Sequence, residues 1–143
     1  MRFWDTSALV PLIVREPTSS WAAEVFVADG DRIVWAFTPV EISSALNRRR
    51  REQSLTRSQF NAARQRAKNF VDSCDRVMAF ELVAERALRV LDMHALRAAD
   101  ALQLAAALLA SREQPNDVGF VTLDIRLAEA AEREGFPVLM HEP

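Results

Sequence analysis

The sequence is poor in the residues on which several common kinds of functional site depend. A single cysteine, Cys74, rules out both an internal disulfide and a cysteine-rich zinc site. Three glycines are too few for a phosphate-binding glycine-rich loop or a dinucleotide-binding fingerprint. No apolar run approaches the roughly 20 residues of a membrane span, and the amino terminus lacks the pattern of a secretory signal. We therefore expect a cytoplasmic protein that uses neither a nucleotide cofactor nor a membrane.

The length of the chain indicates the number of domains, and the distribution of its charge indicates the kind of partner. With 143 residues, half of them hydrophobic, the chain is expected to form one domain over residues 1–143. The net charge is −2, but the segment from Arg48 to Lys68 holds eight basic residues and one acid, so it carries +7 and the remainder −9. Such a segment either binds a polyanion or forms a solvated helix face. The candidate RNA-binding residues are Arg48, Arg49, Arg50 and Arg51.

Short apolar segments alternate with longer segments of helical periodicity. The pattern predicts strands near residues 2–4, 33–35, 77–79, 119–122 and 137–139. Helices are predicted near residues 6–14, 19–28, 38–52, 56–71, 83–94, 98–111 and 124–134, with Thr38 as N-cap and Glu41 completing a capping box. Alternating strands and helices indicate the α/β class, with a mostly parallel central sheet of about five strands flanked by helices on both faces.

Four carboxylates stand where this pattern changes from one element to the next. Asp5 and Asp124 follow predicted strands, whereas Glu41 and Asp100 lie in the first turns of predicted helices. In a parallel sheet these positions meet at the carboxyl edge, where ligands bind. Gathered there, the acids would repel by roughly 4 kcal/mol per close pair at an effective dielectric near 20, so the cluster would favour Mg²⁺ or Mn²⁺. Hydroxyls of Thr6, Ser7 and Thr122 could orient the ligands.

Other interpretations of these residues remain. Each acid taken alone is better explained by helix capping or by the helix dipole, and only the four together favour a metal site. His94 and His141 could serve a metal-free ribonuclease, but one lies at a helix end and the other in the tail. The Asp5 motif also resembles that of aspartyl-phosphate phosphatases, which need a second carboxylate where this chain has Ser7.

Four sequence stretches together resemble a known family. They are Asp5-Thr6-Ser7-Ala8-Leu9, Glu41 in a helix after the second strand, the Asp100-Ala-Leu-Gln-Leu-Ala stretch, and Val121-Thr122-Leu123-Asp124. In order and spacing they resemble the PIN-domain ribonucleases, and among these the VapC-type toxins of type II toxin–antitoxin pairs.

The resemblance implies a function and a set of partners. Asp5, Glu41, Asp100 and Asp124 would bind Mg²⁺ or Mn²⁺ and activate water for hydrolysis of RNA phosphodiester bonds, with Thr6, Ser7 and Thr122 in support. It also implies a cognate antitoxin protein and a homodimer. From the residues alone, a non-catalytic RNA- or protein-binding module that uses the arginine segment remains the alternative.

Overall fold

A five-stranded, all-parallel sheet forms the centre of the protein, whose computed structural model describes residues 1–142. The strands lie in the order β3-β2-β1-β4-β5. They are β1 (Arg2–Trp4), β2 (Arg32–Trp35), β3 (Asp75–Val77), β4 (Gly119–Val121) and β5 (Val138–Leu139). The predicted α/β class and the parallel sheet are therefore confirmed.

In the described residues, seven α-helices connect the strands and cover the sheet. They are α1 (Thr6–Ile13), α2 (Ser19–Val27), α3 (Thr38–Arg51), α4 (Arg57–Asp72), α5 (Phe80–Met93), α6 (Ala98–Ala110) and α7 (Ile125–Glu134). A short 3-10 helix, Pro115–Asp117, precedes β4. Within residues 1–142, none of the helices combines the length and the apolarity that a bilayer crossing requires.

Each face of the sheet packs against its own set of helices. Successive side chains of a strand point to opposite faces, so Phe3 joins a core with α5, α6 and α7, and Trp4 joins a core with α1 to α4. Both side chains are fully buried. Burial on both faces explains why β1, β2 and β4 carry consecutive apolar residues rather than an alternating pattern. The three-layer α/β/α arrangement leaves the ends of the strands as the place for a site.

The structure corrects two local predictions. The residue before α3 is Phe37, and Thr38 is the first helical residue, so the predicted capping box between Thr38 and Glu41 is wrong. A complete capping box occurs instead at the start of α4, between Thr56 and Gln59. The third strand lies two residues earlier than predicted, because Asp75–Val77 is the segment that pairs with β2.

Cys74 lies just before β3 in the core, where only 9% of its surface is exposed. Burial raises the pKa of its thiol, which is typical of a packing residue and not of a nucleophile.

Candidate active site

The four sequence-predicted carboxylates line one cleft at the carboxyl edge of the sheet. Asp5 follows β1 directly, and Asp124 caps the amino terminus of α7, shortly after the neighbouring strand β4. Glu41 and Asp100 lie in the first turns of α3 and α6. The cleft has a volume of about 360 Å³, and all four side chains border it. Their convergence requires the tertiary fold, since they belong to four separate elements.

Asp5 is the most buried of the four carboxylates, with 4% of its surface exposed. One of its oxygens accepts hydrogen bonds from the Thr122 hydroxyl at 2.9 Å, from the Ser7 amide at 3.2 Å and from the Ser7 hydroxyl. Burial raises its pKa despite these donors, and the charge of Asp100 adds to the rise. Ser7 and Thr122 therefore hold Asp5 in place without fully offsetting the loss of solvent.

Glu41 is held by a second group of polar side chains. Its carboxylate accepts a hydrogen bond from the Thr6 hydroxyl at 3.0 Å and two from the Gln103 amide, each at 3.2 Å. Burial and the charges of Asp5 and Asp100 raise its pKa to about 7, against the opposing effect of the Gln103 and Thr6 hydrogen bonds. A bound cation would relieve this repulsion.

Asp100 and Asp124 border the cleft from α6 and from the start of α7, and both are half-buried. Burial raises the pKa of Asp100, as does the charge of Asp124, while Arg97 and Arg126 oppose the rise. Asp124 also accepts a hydrogen bond from the Leu127 amide at 2.9 Å, which caps α7. Asp124 is thus a helix cap, as its position also suggested, and the same side chain borders the cleft.

Gln103 is a site residue to which the sequence analysis gave no role, although it lies in the stretch that begins at Asp100. It is fully buried, and its amide nitrogen donates to Thr6, Thr38 and Glu41, which joins the first turns of α1 and α3 to α6. A signal was present in the sequence: Gln103 is the only strongly polar residue in the otherwise apolar stretch from Ala101 to Leu109, three positions after Asp100 and hence on the same helix face.

The structure distributes the four arginines of the basic run among different surroundings. Only Arg48 borders the acidic cleft. Arg49 forms an ion pair with Glu16, and the Arg50 guanidinium lies over the Phe60 ring at 4.7 Å. Arg51 is exposed at the end of α3. The four therefore do not form one continuous RNA-binding surface, because successive residues of a helix point in different directions.

The donor set suits a hard divalent cation, although the side chains are not yet arranged around one. Carboxylate and hydroxyl oxygens are the ligands that Mg²⁺ and Mn²⁺ prefer. In the part of the chain that is described, no three acidic, histidine or cysteine side chains converge closely enough to hold an ion. Since Asp5 and Glu41 are turned toward neighbouring hydroxyl and amide donors, small side-chain rotations would be needed. Metal binding by the four acids stays a prediction.

A comparison with protein families decides the class of the chain. The model of the PIN domain matches residues 2–133. This chain belongs to the PIN domain family. PIN domains are generally nucleases, so membership indicates a hydrolase that acts on nucleic acid. No curated protein sequence gives a significant match.

Two solved structures have the same fold as this PIN domain. PAE2754 from Pyrobaculum aerophilum is 21% identical with a TM-score of 0.68, and the match covers 97% of this chain and 89% of that one. FitAcB from Neisseria gonorrhoeae is 17% identical with a TM-score of 0.67, and the match covers 97% and 96%. At these identities the comparison supports the fold alone, and the assignment of the site depends on the residues in the cleft.

Proposed function

We propose that this PIN domain is a metal-dependent endoribonuclease that acts as the toxin of a toxin–antitoxin pair. The observation that carries the proposal is the convergence of Asp5, Glu41, Asp100 and Asp124 on one cleft. Holding these carboxylates ionised is costly in the folded protein, since burial, and to a smaller extent repulsion from neighbouring acids, raises the pKa of Asp5, Glu41 and Asp100. An arrangement of this cost is typical of functional sites.

The sequence-predicted acids and hydroxyls each have a role in the proposed reaction. The four carboxylates would hold Mg²⁺ or Mn²⁺, which when bound offsets the charge of the scissile phosphate and lowers the pKa of the water that attacks phosphorus. Ser7 and Thr122 fix the direction of Asp5, and Thr6 fixes that of Glu41. Hydrolysis by water would leave a 5′-phosphate and a 3′-hydroxyl.

The toxin role is supported by the resemblance of the four sequence stretches to VapC-type toxins. That resemblance further supports a cognate antitoxin that blocks the cleft, a homodimer, and action on RNA in the cytoplasm. Expression of the chain should stop bacterial growth, and the Asp100→Asn variant should not. Growth arrest by the variant at equal protein level would contradict the toxin proposal.

Cleavage of a mixed structured RNA by the purified protein tests the enzymatic proposal directly. We expect cutting in Mg²⁺ or Mn²⁺, none in EDTA, and none from the Asp100→Asn variant. Asp117→Asn is the matched control, because Asp117 is exposed in the 3-10 helix away from the cleft and its substitution removes the same charge. RNA cleavage that persists in EDTA and in the Asp100→Asn variant would contradict the proposal.

The alternative, a non-catalytic module that binds through the arginine segment, is less well supported. It needs Arg48 to Arg51 to act together, yet Arg49 and Arg50 are already engaged by Glu16 and Phe60. It predicts RNA binding that persists in EDTA and is lost when the run is neutralised.

A further inference from the structure

A larger groove opens from the acidic cleft on the side of α6 and α7. Its volume is about 910 Å³, and it shares Asp100 and Asp124 with the cleft. The loop before α6 forms one wall, and the start of α7 forms the other. A ligand that reaches the cleft with its reactive group can therefore continue along this groove.

Two exposed arginines, Arg97 and Arg126, line the groove. Both lie close enough to Asp100 to lower its pKa, against the stronger effect of burial. Within residues 1–142, neither guanidinium forms an ion pair, unlike Arg49 and Arg86. They thus remain able to bind an anion from solution.

Arg48 occupies the opposite side of the cleft. It belongs to α3, which follows β2, whereas Arg126 belongs to α7, which follows β4. The sheet order places β2 and β4 on either side of β1, the strand that ends at Asp5. In addition, α3 packs on one face of the sheet, and α6 and α7 pack on the other. The carboxylates therefore lie between a cation on the α3 side and two cations on the α6 and α7 side.

This charge pattern matches a polyanion better than a single anion. The acids would repel any phosphate that is not neutralised by metal, so cations are needed for the phosphates on either side of the reacting one. Guanidinium groups bind phosphate oxygens in a bidentate manner. Ile125, 65% exposed at the same groove, adds apolar surface beside the charges.

We infer that the groove between the α5–α6 loop and α7 binds the RNA backbone next to the scissile phosphate through Arg97 and Arg126, with Arg48 binding it on the other side. The inference rests on the proposed nuclease function, since it takes RNA as the ligand. RNA binding is thereby assigned to three arginines from three parts of the fold, instead of to the four consecutive arginines of residues 48–51. Arg97 and Arg126 are separated from that run by at least 46 positions in sequence.

The test measures binding separately from cleavage. All variants are made in the Asp5→Asn background, and binding of a labelled single-stranded RNA of about 12 nucleotides is followed by fluorescence anisotropy across a salt series in Mg²⁺. Each lost phosphate contact should reduce the slope of log K against log salt by about 0.7. Between about 1 M and about 0.1 M salt, a tenfold range, a slope smaller by about 0.7 gives a roughly fivefold loss of affinity at the lower salt for each arginine removed.

The double variant Arg97→Gln/Arg126→Gln should therefore bind about 25-fold more weakly at about 0.1 M salt, with a slope smaller by about 1.4. Arg112→Gln is the matched control, because Arg112 is also exposed but lies beyond the far end of α6, about 18 Å along the helix from Asp100. Equal melting temperatures would confirm that the variants are folded.

The outcomes separate this inference from the proposed function. Parent-like affinity and slope in the double variant, or an equal loss in Arg112→Gln, would overturn the groove assignment even if the protein cuts RNA. Tighter binding of a poly-glutamate of equal charge would overturn RNA as the ligand and favour an acidic protein. Loss of RNA binding in the double variant alone supports the groove, whether or not the unmutated protein cleaves.

Discussion

Replacing Glu41 with glutamine should stabilise the metal-free protein at high pH and have little effect at low pH. The carboxyl has a pKa of about 7 in the folded protein against an ordinary value of 4.5, chiefly because of burial. Between these two values the unfolded chain releases the proton first, so the stability of the parent falls as pH rises from 4.5 to about 7. Glutamine carries no charge at any pH and escapes this loss.

The size of the effect follows from the same shift in pKa. A rise from 4.5 to about 7 corresponds to at most about 3 kcal/mol. Because the side chain is only half-buried and solvent screens its charge, we expect about half of this, roughly 1–2 kcal/mol, near pH 8. Near pH 5 only about a quarter of the difference is present, less than about 1 kcal/mol. At pH 8 the gain corresponds to about 5 °C in melting temperature.

Urea unfolding in EDTA at both pH values measures the gain of Glu41→Gln over the parent. The matched control is Glu85→Gln, since Glu85 is exposed on α5 and its replacement should change stability by less than about 0.5 kcal/mol at either pH. The amide oxygen of a glutamine at position 41 can still accept the Gln103 hydrogen bond. Equal gains at the two pH values, or a loss near pH 8, would refute the conclusion that the folded protein penalises the ionised Glu41.

Three other changes test separate parts of the site and fold. Mg²⁺ at about 100 times its Kd should raise the free energy of unfolding by about 2.7 kcal/mol, and Asp5→Asn should remove most of that rise in calorimetric melts. Gln103→Leu should cost about 2–3 kcal/mol in urea unfolding, because it removes the donor of buried Thr38 and one of the two donors of half-buried Glu41, whereas Gln114→Leu at an exposed position should cost less than about 0.5 kcal/mol. Thr56→Ala should cost about 1 kcal/mol by removing the cap of α4, and an unchanged urea midpoint would contradict the capping role.

The fold was largely predictable because its signals are local. The alternation of apolar strands and periodic helices predicted the parallel sheet, and the last helix was predicted to end at residue 134. The next residue, Gly135, ends it with a φ of 98°, a left-handed conformation that glycine adopts without strain. The error at Thr38 arose because a capping motif and a first helical turn have similar sequences. In the structure the Thr38 hydroxyl accepts a hydrogen bond from Gln103 and does not cap the helix.

The candidate site was predictable only in part. The topology of parallel sheets was enough to place Asp5, Glu41, Asp100 and Asp124 at one edge from the sequence alone. The sequence did not show that the four arginines of residues 48–51 have different surroundings, because adjacent residues of a helix point in different directions. Their binding of RNA stays a prediction. Arg97 and Arg126 gave no local signal, because single arginines at helix starts are common.

The sequence by itself determined the order of the elements, the class of the fold and the positions of the four carboxylates relative to strand and helix ends. Those features follow from interactions between residues a few positions apart. Only the tertiary structure decided which donors hold each acid, since Gln103 meets Glu41 across 62 positions and Thr122 meets Asp5 across 117. Contacts over such distances depend on how whole layers pack, and no local pattern records them.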